Sequence, residues 1–67
     1  MRFEIERSAT EKLIIEKTEF KGRELITLRI YFLSKDEEWL PTKKGVTVKV
    51  EQIGELMDAL NSIKASL

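Results

Sequence analysis

The residues of this chain that could do chemistry are mostly cations and aromatics, and they interleave. Between Phe20 and Lys44 stand Phe20, Lys21, Arg23, Arg29, Tyr31, Phe32, Trp39, Lys43 and Lys44. Single-stranded nucleic acid calls for this mixture. Cations track the phosphates, and exposed bases stack on aromatic faces for about 1–3 kcal/mol each. The same residue types also serve a plain fold, with Phe32 and Trp39 in a core and the lysines as a solvated rim. Catalysis has less to draw on. The chain has no His and no Cys, so it lacks the commonest general base and the thiolate metal ligands. No Gly-rich loop opens a helix. Asp36-Glu37-Glu38 could hold a hard cation, but a solvated turn is the simpler reading. We therefore expect no catalytic residues, no metal, no cofactor and no enzyme activity.

Charge is arranged in sequence even though it balances overall. The net charge is zero, which argues against generic nucleic-acid binding and turns attention to distribution. Residues 1–16 carry Arg2, Arg7 and Lys12 against Glu4, Glu6, Glu11 and Glu16. Residues 17–49 carry eight Lys or Arg against five Asp or Glu. Residues 50–67 carry Lys64 against Glu51, Glu55 and Asp58. A basic middle between acidic ends can form a charged groove once folding gathers it.

The elements that must position these groups are strands first and one helix last. Phe3-Glu4-Ile5-Glu6 alternates and predicts a short strand. Lys12 to Phe20 predicts a second extended segment. A helix starting at Ser8 competes there, because Ser8-Ala9-Thr10-Glu11 fits a capping box. Lys21-Gly22 predicts a hairpin turn. From Arg23 to Leu33, Ile26, Leu28, Ile30 and Phe32 share one face, while Arg23, Thr27, Arg29 and Tyr31, with Leu25, share the other. Ser34 to Glu38 predicts a polar turn. Trp39-Leu40 resumes an extended path, and Pro41 places it at an edge or in a loop. Lys43-Lys44-Gly45 predicts a basic turn, and Val46, Val48 and Val50 a further strand. After Glu51 the period becomes helical: Ile53, Leu56, Met57, Leu60 and Ile63 fall on one stripe. Glu51 and Glu55 suit a helix start, and Gly54 weakens the helix by roughly 1 kcal/mol if interior.

A chain of 67 residues makes one domain, spanning 1–67, and buries only about 60% of its unfolded surface. Disulfides are excluded, so a partner subunit is the expected support. Ile53, Leu56, Met57, Leu60 and Ile63 are the expected dimer interface. No apolar run approaches the roughly 20 residues of a membrane span, and the start has no apolar signal core.

The ordered wording of the middle resembles a known family. Phe20-Lys21-Gly22-Arg23, Leu25-Ile26, Arg29 with Tyr31-Phe32, Pro41-Thr42-Lys43-Lys44-Gly45 and Glu51-Gln52-Ile53 are similar to the transcriptional positive cofactor four family of single-stranded-DNA-binding coactivators. The match runs from Phe20 to about Leu60. It implies an α+β fold: a curved antiparallel sheet of four to five strands followed by one C-terminal amphipathic helix, assembled as a homodimer. It implies that Phe20 and Phe32 stack on bases and that Lys21, Arg23, Arg29, Lys43 and Lys44 meet the backbone. Phe32 stands where members often carry Trp. Leu40 replaces a basic residue before the proline, and Trp39 an aliphatic one. The Ser-rich acidic and Lys-rich tail of the animal coactivators is absent from this sequence, so its regulatory roles do not carry over.

The expected function is therefore single-stranded DNA binding by a homodimer in transcription regulation or genome maintenance, with the transcription machinery as a further partner. RNA binding or RNA chaperoning through the same groove is the runner-up, since stacking and phosphate contacts do not read the 2′-hydroxyl. A protein–protein adaptor is the third reading. The expected location is intracellular: cytoplasm or nucleoid in a prokaryote or virus, nucleus in a eukaryote. One tension stands. Strict alternation puts Arg29 and Phe32 on opposite faces of a strand, unless a bulge or strong twist intervenes.

Overall fold

The computed structural model describes residues 1–67. Its order is β1 (Arg2–Glu6), β2 (Glu11–Phe20), β3 (Arg23–Leu33), β4 (Trp39–Lys49), a single 3-10 turn (Val50–Gln52) and α1 (Ile53–Ser66). The strands form one open, curved antiparallel sheet in the order β1-β2-β3-β4. Each strand pairs with the next in sequence, so every sheet connection is a hairpin.

The turns show how local chemistry fixes this meander. Ser8 does not cap a helix. Its hydroxyl accepts from the Thr10 N–H at 3.2 Å, a side-chain turn two residues long. The Arg7 and Ser8 amides donate to the Glu11 carbonyl, and Glu11 opens β2 instead of a helix. Between β2 and β3, Lys21 and Gly22 have φ of 52° and 78°. Two positive φ values are what the type I′ hairpin turn demands, and that turn matches the twist of its strands. Gly22→Ala should cost about 1 kcal/mol or slightly more. In a domain this small that lowers the Tm by about 4–8 °C, measurable by a thermal melt. Between β3 and β4, the Ser34 amide donates to the Glu38 carbonyl at 2.8 Å, and the Glu38 amide donates back to Ser34 Oγ at 3.2 Å.

Two expectations about β4 change. Trp39-Leu40 and the valine run are one strand, and Lys43-Lys44-Gly45 lies within it rather than in a turn. Arg29 pairs with Gly45 and Tyr31 with Pro41, so Ile30 alone faces Thr42, Lys43 and Lys44. The surplus residues form a bulge that lets one strand absorb a Pro and a Gly. β4 is an edge strand, where a proline is tolerated. The strand ends at Lys49, so Val50 and Glu51 belong to the 3-10 turn, and Gly54 falls in the first turn of α1 rather than its interior.

Register sorts the side chains onto two faces. Phe3, Ile5, Leu13, Ile15, Ile26, Leu28, Ile30, Phe32, Leu40, Val46 and Val48 share one face. Arg2, Glu4, Lys12, Ile14, Phe20, Arg23, Arg29, Tyr31, Trp39 and Lys49 share the other. The apolar face is not a closed core. The one buried residue is Ile14, 3% exposed, and it lies on the polar face between its cross-strand neighbours Glu4 and Arg29. Long charged side chains cover apolar neighbours with their aliphatic stems. α1 has no buried residue, and its contacts are chiefly with the 3-10 turn that precedes it rather than with any strand. The helix is not long and apolar enough to cross a membrane.

Candidate nucleic-acid interface

The hairpin tip presents the first group of expected contacts. Phe20 ends β2 directly opposite Arg23, the first residue of β3, and is 61% exposed. Lys21 follows in the turn with its Nζ 5.4 Å from the Phe20 ring centre. A cation above the ring face is attracted by the quadrupole of the ring. Lys21 sits in the left-handed region, where a non-glycine side chain is strained. Asn or Gly would fill this position more favourably, and Glu37 in the β3–β4 turn shares the left-handed conformation at φ 61°. Arg23 and Lys49 line an open cleft of about 440 Å³ together with Glu24 and Glu51, so its charges balance. Lys49 stands across the β3–β4 ladder from Leu25.

A second group crosses the polar face. Lys12 Nζ lies 4.3 Å from the Trp39 ring centre and donates to Glu4 Oε1 at 2.9 Å. Arg2 lies over the Tyr31 ring at 5.2 Å. The hydrogen bond from Lys12 and its charge, with a smaller effect of Arg2, hold the Glu4 carboxyl below its usual range. The folded value is the lower one, so this pairing helps the fold above the unfolded carboxyl's value and is lost as pH falls through the folded value. Glu4 is exposed, so the contribution is small. Trp39 thus lies on the polar face, away from the apolar surfaces, in a cation–π pair. Arg2 and Lys12 were not foreseen, since nothing in the sequence shows that β1 and β2 set them beside Tyr31 and Trp39.

The third group is the β4 bulge. Lys43 and Lys44 are exposed there, and neither is in an ion pair. Arg29 is half-buried beside them and donates from Nη1 to the Thr42 carbonyl at 2.7 Å. Phe32 stands apart from all three groups. The β2–β3 register runs without a break, so the bulge in β4 does not reorient β3. Phe32 therefore lies on the apolar face, 39% exposed, opposite to Phe20 and Arg29. At about 3.3 Å per residue, the two phenylalanines are separated by roughly 30 Å along β3. The acidic turn Asp36-Glu37-Glu38 does not gather into a metal-binding cluster.

The chain is an open four-stranded antiparallel sheet with a trailing helix, and its polar face carries cations and aromatics among acidic groups. The chain belongs to the transcriptional coactivator p15 (PC4) family, whose model matches residues 8–59. The fold agrees with three solved structures. A PC4 homolog from Burkholderia pseudomallei superposes with a TM-score of 0.86 at 21% identity, covering 92% of this chain and 84% of that one. The bacteriophage T5 homolog of the eukaryotic coactivator PC4, implicated in recombination-dependent DNA replication, gives 0.83 at 24% identity, covering 98% and 77%. MoSub1, solved in a DNA complex described as a novel DNA-binding mode, gives 0.64 at 29% identity, covering 98% and 80%. No curated protein sequence matches the chain.

Proposed function

We propose that this protein binds single-stranded DNA as a homodimer, in transcription regulation or genome maintenance. The observation that carries the proposal is the hairpin tip: an exposed phenylalanine beside a lysine held at positive φ, facing an arginine across the turn. Phe20 stacks on a base, while Lys21, Arg23, Lys43 and Lys44 meet phosphates. Phe32 is the second stacking ring. Because it lies on the other face and far along β3, a ligand touching both rings passes around the end of the sheet. It must then be a segment of several nucleotides, in keeping with sites of about 4–16 nucleotides on comparable sheets. Family membership and the DNA complex of MoSub1 support the choice of DNA. The T5 homolog's implication in replication supports genome maintenance beside transcription.

The dimer follows from two open apolar surfaces. Met57, Leu60 and Ile63 stand exposed on α1, and Phe3, Ile5 and Val46 on the sheet. A second copy offers both surfaces in return, as a two-fold interface requires.

Two outcomes test the cationic half. Lys43→Ala with Lys44→Ala is expected to weaken binding to all single strands alike and to flatten the salt dependence by about 0.7 of log–log slope per lost phosphate contact. Unchanged affinity and slope would reduce these lysines to a solvated rim. Lys21→Asn is expected to act in opposite directions on fold and ligand. It should raise stability by up to about 1 kcal/mol, since Asn-Gly suits a type I′ turn, and weaken single-strand binding through one lost phosphate contact. A thermal melt and a titration decide it, and unchanged binding would remove Lys21 from the interface. Competition among single-stranded DNA, RNA and duplex separates DNA binding from RNA binding.

A further inference from the structure

We infer that Arg29 is a positioning residue: it holds the β4 bulge in the shape that presents Lys43 and Lys44. The functional half of this inference rests on the single-strand-binding reading.

The bulge sets three residues of β4 against one of β3. Such an insertion disrupts the ladder and leaves backbone groups to be paired by other means. Here side chains pair them. Thr42 Oγ1 donates to the Ile30 carbonyl at 2.7 Å and accepts from the Lys44 amide at 3.1 Å. Arg29 Nη1 donates to the Thr42 carbonyl at 2.7 Å. Thr42 is therefore tied through both its hydroxyl and its carbonyl, and the two lysines that follow it inherit that fixed path.

Gly45 shows that the guanidinium has a reserved place. A Cβ at position 45 would stand 2.7 Å from Arg29 Cζ, 2.9 Å from Nη1 and 3.0 Å from Nε. The only glycine with positive φ is Gly22, so what position 45 requires of its residue is space. The guanidinium lies where that side chain would be, over the backbone of the edge strand. A planar fork suits this role, because it can lie flat on the strand while donating at its rim. Lys43 and Lys44 are the contrast: exposed, outside any ion pair and free to follow phosphates.

Gly45→Ala separates position from charge, because it keeps every cation. The atoms it would meet are the end of a flexible side chain, so the guanidinium is expected to swing off Thr42 while the sheet stays folded, as circular dichroism can verify. Two readouts follow on the full-length chain. The first is the salt dependence of binding to a single-stranded oligothymidylate, expected to flatten by up to about 1.4 in slope, the share of two phosphate contacts. In a Lys43→Ala/Lys44→Ala background, Gly45→Ala should then weaken binding by less than about twofold, since the groups act as one unit. The second is amide exchange at Lys44 without nucleic acid, expected to be about tenfold faster as the local structure opens. Arg29→Lys, which keeps the charge but loses the fork, should behave like Gly45→Ala and serves if the alanine variant is unstable. Wild-type slope and wild-type Lys44 exchange in both variants would overturn the inference. If the wild type binds no oligothymidylate, the binding reading fails by itself, and Lys44 exchange still decides whether Arg29 holds the bulge.

Discussion

Leu60→Asp is expected to dissociate the protein into monomers or to unfold it. Leu60 is 55% exposed in one protomer, so an aspartate there would cost an isolated chain little. In a dimer that covers the helix stripe, the same aspartate would be an unpaired charge in an apolar contact, at a cost of several kcal/mol. At about 1.4 kcal/mol per tenfold, association weakens by at least about a hundredfold. Sedimentation or light scattering checks this, and circular dichroism separates a folded monomer from an unfolded chain. The wild type should show twice the chain mass of 7.8 kDa at micromolar concentration. A wild-type mass of one chain there would contradict the dimer and leave the apolar faces unexplained.

Phe20→Ala is expected to lose single-strand affinity without losing the fold. The ring lies at the end of β2, exposed, with a cation over it. Removing it should change stability by no more than about 1 kcal/mol, near the ordinary range for surface substitutions. Binding should weaken by about 1–3 kcal/mol, the worth of one stacked base. Phe32→Ala should affect both quantities. Its neighbours on the apolar face include Ile30 and Leu40, so truncation removes packing against them, at about 0.5–3 kcal/mol of stability, as well as one stacked base. A Phe20→Ala protein that melts far below wild type yet binds normally per folded molecule would make Phe20 a packing residue.

Much of the strand pattern was legible because alternation is a local property. Arg23–Leu33 emerges with its two faces as read, and Lys21-Gly22 forms the expected turn, since left-handed geometry is written in a glycine beside a tolerated neighbour. The helix stripe was legible for the same reason. The ambiguous signals were those with two local uses. Ser8 can cap a helix or close a side-chain turn, and the pairing of Arg7 and Ser8 with Glu11 chose the turn. Lys43-Lys44-Gly45 can make a turn or a bulge, and the partner strand chose the bulge because Tyr31 pairs with Pro41 and Arg29 with Gly45. The tension between Arg29 and Phe32 persists for a related reason: the bulge falls on β4, so β3 keeps its alternation. What the sequence could not show was register. Only the cross-strand alignment sets Lys12 over Trp39 and Arg2 over Tyr31, or fills the space above Gly45 with Arg29.

The most direct test of the account is a salt-dependent titration of the wild-type protein with a single-stranded oligonucleotide, with duplex of the same sequence as competitor. Lys21, Arg23, Lys43 and Lys44 as phosphate contacts predict a log–log slope near −3 per protomer, from about 0.7 per contact. Single strands should be preferred, because a stacking ring needs an exposed base. No binding at low salt, or a slope near zero, or equal affinity for duplex would contradict the account.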